Sequence, residues 1–391
     1  MERKRQNSGV AALVLAAGMS RRMKPGPGKP TPASPGAGPK QLLRLDGKPL
    51  LQHTLENVRR ARVDEIVLVL GFAADAVRRQ VPTDGIRVVI NPEYEQGMGT
   101  SLRAGLPELS AGVRAAFVVL ADQPFVRPET LDRMIAVHRE TKAEITLPLY
   151  RGFRGNPVLL DCRVFPELMG LSGDVGCRAI FGSHTQGIHK VDVNDPGILL
   201  DIDSLEDFER LQRPGLSAEI ASLPDLESRE AIAAGRPELV IVGHDAVAQA
   251  LGHLGPMLGF CTTYVDPLLT LKDLPQADRV LHVLDFSRLP KGELYVVVAS
   301  RGQCDEEAVE QALLSNAAYI GLLANRKRAE EVMNALRNRG VAEAKLGQVR
   351  VPAGVAIHAE TPEEIALSIM AEIVAVRRSK TSKAKGGQDQ R

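Results

Sequence analysis

The most constraining stretch of this chain runs from Val10 to Leu51. It opens with an unbroken apolar run, Val10-Ala-Ala-Leu-Val-Leu15, which gives way to Ala16-Ala17-Gly18 and a basic cluster at Arg21-Arg22. A short continuous apolar run ending at small residues predicts a parallel strand buried on both faces, since a half-exposed strand would alternate. Open α/β sheets bind their ligands just beyond the carboxyl ends of such strands. Ala16, Ala17 and Gly18 leave room there for backbone N–H groups to approach a ligand. Arg21, Arg22 and Lys40 supply the positive charge that a polyphosphate requires. Taken alone, the small residues favour an ordinary βα turn that happens to be basic.

Strand-like apolar runs alternate with helical patterns along the whole chain. In the first half the runs at Val10–Leu15, Glu65–Leu70, Arg87–Ile90, Ala115–Leu120 and Glu144–Leu147 read as strands. Helical patterns cover Leu50–Arg60, Asp75–Gln80, Ser101–Leu109, Glu129–Glu140 and Ser204–Leu211. At 391 residues the chain exceeds one ordinary domain. The expected fold class is α/β, with two doubly wound three-layer α/β/α domains. The expected limits are 9–212 for the first domain, 213–236 for a Pro/Gly-bearing linker, 237–378 for the second domain and 379–391 for a disordered polar tail.

The balance of charges narrows the function classes. A formal net charge of +1, with no Trp and 4% aromatic residues, argues against nucleic acid as a partner. The apolar run behind the basic start is too short to span a membrane and lacks a signal-type cleavage context. Cys162, Cys177, Cys261 and Cys304 form no CxxC pair, which suggests buried, reduced thiols and a cytoplasmic location.

Four further stretches of the first half carry candidate chemistry. Lys24 to Pro39 is a Pro/Gly/Ser-rich insertion, expected to be mobile or inert. In Gln96-Gly97-Met98-Gly99-Thr100-Ser101-Leu102, Thr100 or Ser101 is positioned to cap a helix and leave the glycine N–H groups facing a ligand. Ala115–Leu120 runs into Ala121-Asp122-Gln123-Pro124, an acidic turn at a central strand's carboxyl end. Asp122 there is the best-placed oxygen ligand for a hard divalent ion, although a lone Asp in such a turn is more often a cap. Asp201-Ile202-Asp203-Ser204 precedes a helix that Ser204 can cap, with Asp207 three residues on.

Leu15-Ala-Ala-Gly-Met-Ser-Arg-Arg-Met23 with Pro39-Lys40 resembles the signature of the MobA-like nucleotidyltransferases, and within them the molybdenum cofactor cytidylyltransferases. The resemblance implies a nucleotide-diphospho-sugar-transferase-like fold, with CTP or another nucleoside triphosphate bound by Leu15, Ala16, Ala17 and Gly18 and by Gly97, Gly99, Thr100 and Ser101. It implies catalytic roles for Lys40, Arg21 and Arg22, and Mg²⁺ held by Asp122 with Asp201 preferred over Asp203. Arg154-Gly155-Asn156-Pro157 and Gly173-Asp174-Val175-Gly176 resemble family segments that bound the acceptor pocket, though Asp174 is as easily a helix cap. The insertion departs from the family pattern, in which Arg and Lys are separated by a short spacer. Lys40, followed by Gln-Leu-Leu, matches the family lysine better than Lys24 or Lys29.

In the second half, Glu238-Leu-Val-Ile-Val242-Gly243-His244-Asp245 reads as strand and turn, with Asp266 about where a ribose-binding carboxylate stands in dinucleotide folds. Asp245 falls where such folds need their second glycine, and its carboxylate would repel a pyrophosphate. That argues against an NAD(P)-dependent oxidoreductase. Tyr319–Arg328 and Thr361–Val376 resemble the Rossmann domain of the xanthine dehydrogenase accessory factor (XdhC/CoxI) family. Thr361, Pro362 and Glu364 also form a capping-box pattern. Both resemblances imply molybdopterin, so the expected activity is transfer of CMP from CTP to molybdopterin, with a molybdoenzyme as client. Two alternatives stay open: a same-fold enzyme with a sugar-phosphate acceptor, and a non-catalytic carrier of molybdenum cofactor.

Overall fold

A computed structural model describes residues 9–19, 39–173, 175–213, 215–229 and 235–386. The chain divides into two compact units, Met1–Tyr150 with Arg154–Ser222, and Arg151–Phe153 with Leu223–Arg391.

The first unit is built on a sheet whose strands lie in the order Ile188–Asp192, Ile145–Tyr150, Val158–Asp161, Ala115–Leu120, Val10–Ala16, Glu65–Leu70, Arg87–Ile90. Val10–Ala16 sits at its centre, parallel to Glu65–Leu70 on one side and to Ala115–Leu120 on the other. Val158–Asp161 runs antiparallel to both of its neighbours. All seven residues of the central strand are buried. Val10, Ala12, Val14 and Ala16 pack with Leu51, Leu55, Leu131 and Met134 on one face. Leu13 and Leu15 pack with Leu102, Leu106 and Leu168 on the other. Side chains alternate across a strand, so burial of both sets requires helices on both faces. Each fully buried Leu or Val contributes about 1.5–3 kcal/mol to this core.

The helices agree closely with the periodic patterns. Leu50–Arg60 begins directly after Pro49, and Pro128–Thr141 starts on a proline and ends at Lys142 in the left-handed region. Met98–Gly105 starts earlier than the expected Ser101, because Gly97 is its N-cap, with φ of +108°. Thr100 and Ser101 therefore lie inside the first turn and do not cap it. Asn91 reaches across to both hydroxyls, and Thr100 Oγ1 donates to the Glu93 and Gly97 carbonyls.

The second unit carries a seven-stranded sheet in the order Leu226–Ser228, Arg279–Leu281, Cys261–Val265, Glu238–Val242, Leu294–Val298, Tyr319–Leu322, Val349–Arg350. All its pairings are parallel except the first. Ala246–Met257 and Pro362–Gly386 cover one face, with Ala248, Leu251, Ile369 and Met370 in its core. The stretch 213–236, expected as a linker, contains the helix Leu216–Ala221 and the antiparallel edge strand Leu226–Ser228. Thr361 and Glu364 make the expected capping box. The last helix runs to Gly386 and so reaches into the stretch 379–391 expected as a disordered tail, the remainder of which lies outside the described residues. None of the four cysteines is in a disulfide; Cys177, Cys261 and Cys304 are buried, whereas Cys162 is only half-buried. Among the described residues no helix is long and apolar enough to cross a membrane.

Candidate functional site

The carboxyl ends of Val10–Ala16 and Ala115–Leu120 open onto a cavity of about 550 Å³. Leu15, Ala17, Gly18 and Met19 form one wall, and Asp122, Asp201 and Asp203 another, with Lys40 between them. Gly97, Met98 and Ser101, with Tyr94 and Gln96, line the side contributed by the short helix start.

Local chemistry explains how the chain holds this arrangement. Lys40 begins a 3-10 turn directly after Pro39. Its neighbour Gln41 is 3% exposed, and Gln41 Nε2 donates to the carbonyl oxygens of Ala16 (3.0 Å) and Gly18 (3.3 Å). One buried amide thus fastens the Lys40 turn to the glycine loop. Ala121 N–H donates to the Leu15 carbonyl, and Ile202 N–H to the Asp122 carbonyl, so the acidic turn is tied to both the central strand and the 201–203 segment. Ser204 caps the helix that follows through a capping box with Asp207.

The charges converge on one point. Lys40 Nζ lies 2.5 Å from Asp122 Oδ2, 3.1 Å from Asp203 Oδ1 and 3.2 Å from the Ile202 carbonyl oxygen. Burial works against the Lys40 ammonium, but Asp122 and Asp203 outweigh it and hold its pKa above the ordinary lysine value. Asp201 accepts a hydrogen bond from Gln123 Nε2. Protein atoms around Asp201, then the Asp122 and Asp203 carboxylates, push its carboxyl up to about 7, against the pull of Gln123 and Lys40. Asp201 is nevertheless exposed to the solvent of the cavity. Asp122 Oδ1 is buried and has no hydrogen-bond partner among the described residues.

That orphaned oxygen bears on whether the site suits a divalent ion. Mg²⁺ is commonly held by one or two carboxylates plus substrate phosphates and water. Asp122 and Asp201 form such a pair, and among the described residues no group of three or more acidic, His or Cys side chains is set to cage a metal without substrate. The donor set therefore fits an ion that arrives with a phosphate ligand.

Of the residues singled out in the sequence, Leu15, Ala17, Gly18, Lys40, Gly97, Ser101, Asp122 and Asp201 are brought together around the cavity. Ala16, Gly99 and Thr100 are not on its wall. Ala16 is buried beneath the loop. Gly99 N–H, expected to face a ligand, donates instead to the Gly173 carbonyl, and a Cβ at Gly99 would stand 3.1 Å from the Leu171 oxygen. Thr100 is 2% exposed and serves the turn before the helix. Arg21, Arg22 and Asp174 lie outside the described residues. Gln41 and Gln123 were missed as positioning groups, though each adjoins a residue that was singled out. Asp203, weighed against Asp201, is the carboxylate that pairs with Lys40.

The second unit has its own strand-end chemistry. Asp245 caps Ala246–Met257 by accepting from Ala248 N–H, which puts a carboxylate where a pyrophosphate would sit in a dinucleotide fold. Asp266 is consumed by the N–H groups of Leu268 and Leu269 and by His244 Nδ1 at 2.5 Å.

Comparison with known proteins identifies both halves. Residues 12–188 match the MobA-like NTP transferase domain and residues 239–373 match the XdhC Rossmann domain. Nicotine blue oxidoreductase of Paenarthrobacter nicotinovorans is 29% identical over 211 residues, covering 52% of this chain and 96% of that protein. The uncharacterized protein YqeB of Escherichia coli is 33% identical over 150 residues, covering 36% of this chain and 28% of that protein. The manganese complex of Rv0371c from Mycobacterium tuberculosis is 32% identical, covering 52% of this chain and 97% of that one, with a TM-score of 0.43. The chain thus carries a nucleotidyltransferase domain of the MobA-like type followed by an XdhC Rossmann domain.

Proposed function

We propose that this chain, with its MobA-like domain ahead of an XdhC Rossmann domain, transfers CMP from CTP to the phosphate of molybdopterin and releases pyrophosphate. The observation that carries the reading is the convergence of Lys40, Asp122 and Asp201 on one cavity with the open face of Gly18. Among the described residues no atom lies within 4 Å of the place a Gly18 Cβ would occupy, which suits close approach of a nucleotide to the loop. The choice of acceptor is supported by the pairing of two domain types whose sequences both resemble molybdopterin-handling proteins.

In this reading an oxygen of the acceptor phosphate forms a bond to the α-phosphorus as the α–β bridging P–O bond breaks, and pyrophosphate leaves with the bridging oxygen. Asp122 and Asp201 would hold Mg²⁺, which when bound neutralises charge on the phosphate oxygens. Lys40, with Arg21 and Arg22, stabilises the departing pyrophosphate. The Gly18 loop, Gly97 and Ser101 seat the nucleotide. Nothing here requires a covalent nucleophile, because phosphoryl chemistry of this kind rests on positioning and electrostatics. The second domain would bind the product or pass it to a molybdoenzyme.

The test is pyrophosphate release by the full chain from CTP, GTP and UTP, with and without purified molybdopterin. Release that requires molybdopterin and favours CTP supports the reading. Release with a sugar phosphate in its place reassigns the acceptor, and cofactor binding without release from any nucleotide reassigns the chain as a carrier.

A further inference from the structure

We propose that in the resting protein the Lys40 ammonium occupies the cation position of the site, and that an arriving nucleoside triphosphate draws it off Asp122 and Asp203 and so creates the divalent-ion site. This deepens the reading above and rests on it for the identity of the ligand.

Lys40 Nζ is surrounded by oxygen: Asp122 Oδ2 at 2.5 Å, Asp203 Oδ1 at 3.1 Å and the Ile202 carbonyl at 3.2 Å. Carboxylates and carbonyls are the ligand types a hard divalent ion selects, and Asp122, the carboxylate this cluster shares with the Asp122–Asp201 pair, is here satisfied by an ammonium. Lys40 and Asp122 are only 16% and 17% exposed, so water screens their pairing weakly. Among the described residues three carboxylates and one ammonium line this wall, a net negative set when all three are ionised. A divalent ion arriving alone must displace the ammonium and leave that charge near itself. A triphosphate changes the balance. It offers the ammonium new oxygens across the same cavity, and it brings its own oxygens to complete the ion's shell. As Lys40 turns toward phosphate, Asp122 Oδ2 joins the already unpartnered Asp122 Oδ1 as an available ligand. Lysine suits such an exchange, being a single charge on a flexible stem with no fixed fork geometry.

The consequence is that the protein's affinity for a divalent ion is coupled to nucleotide through one side chain, and coupling of this kind is reciprocal. The experiment titrates Mn²⁺ into the full chain, followed by electron paramagnetic resonance, with and without a CTP analogue that cannot release pyrophosphate. Wild type, Lys40→Met and Lys40→Gln are compared, with Asp122→Asn as a control. Without nucleotide, wild type should bind Mn²⁺ weakly, and both Lys40 variants should bind it at least tenfold more tightly. The analogue should tighten Mn²⁺ binding in wild type well beyond its own chelation, and much less in either variant. Asp122→Asn should abolish tight binding. Equal Mn²⁺ affinity in wild type and both folded Lys40 variants overturns the proposal. So does nucleotide-free wild type that already binds Mn²⁺ as tightly as the variants. Tighter binding in the variants from a chain that releases no pyrophosphate with any acceptor upholds the exchange and overturns the transferase reading instead. Absence of Mn²⁺ binding in every protein, with or without analogue, overturns both.

Discussion

Gly71 follows the strand Glu65–Leu70 and offers a test of how tightly the cavity wall is set. A Cβ at Gly71 would stand 2.6 Å from Tyr94 Cβ, 2.8 Å from Tyr94 Cγ and 2.9 Å from Ala17 Cβ, where ordinary contact begins at 3.4 Å. Gly71→Ala therefore forces Tyr94 and Ala17 apart by roughly 1 Å, an overpacking change of the kind that costs about 1–3 kcal/mol. Both displaced residues line the cavity, Ala17 beside Gly18 and Tyr94 next to it across Gly71. A shift of about 1 Å in substrate position can lower kcat/KM by about 10²-fold, so a loss of about 10–100-fold is expected. The melting temperature should fall by about 2–10 °C, in step with that destabilisation. Calorimetry of nucleotide binding, pyrophosphate release and thermal melts measured on one preparation read all three quantities. A Gly71→Ala protein with wild-type nucleotide affinity and turnover would refute the claim that Ala17 and Tyr94 form the binding wall.

Other expectations follow from the same geometry. Gly18→Ala projects its methyl where no described residue stands, so the melting temperature should stay within about 2 °C of wild type while nucleotide affinity drops, as thermal melts and calorimetry would show. Asp122→Asn should lower pyrophosphate release by about 10²–10⁴-fold with the fold retained by circular dichroism. Burial pushes the His282 imidazole down to about 4, and its side chain has no exposure. A depressed histidine pKa means the folded state resists protonation, so stability present above pH 6.5 is lost as pH falls toward 4. The loss is of the order of 3 kcal/mol. Urea melts at pH 7 and pH 4.5 should show a smaller acid loss in His282→Gln than in wild type, and parallel losses would remove His282 as the cause.

The parts of this molecule that were legible from its sequence are those where a local pattern and the tertiary demand coincide. Val10–Leu15 is apolar throughout because both its faces are covered, and its burial on alternate sides is what a continuous run implies. Ser204 and Thr361 declared their capping boxes by spacing alone. The start of Met98–Gly105 was misplaced because serine and threonine are the usual caps, whereas here the turn needs positive φ, which only Gly97 accepts readily. Gly99 looked like a ligand-facing glycine, but it is small because the 171–173 backbone passes against it, a contact far away in sequence. Gln41 and Gln123 carried no pattern of their own. Their roles arise from carbonyl and carboxylate partners 23 to 78 residues away along the chain. The antiparallel Val158–Asp161 strand was likewise invisible, because its three apolar residues, Val158, Leu159 and Leu160, are too short a run to specify a strand or its direction.

The strand Leu226–Ser228 has a practical meaning for anyone separating the two halves. It shields the rim of the second sheet by hydrogen-bonding along Arg279–Leu281. A fragment begun at the first residues of the Rossmann pattern would leave that rim bare, with unsatisfied amides ready to recruit a neighbouring molecule. A fragment begun upstream of Leu226 keeps its own cover.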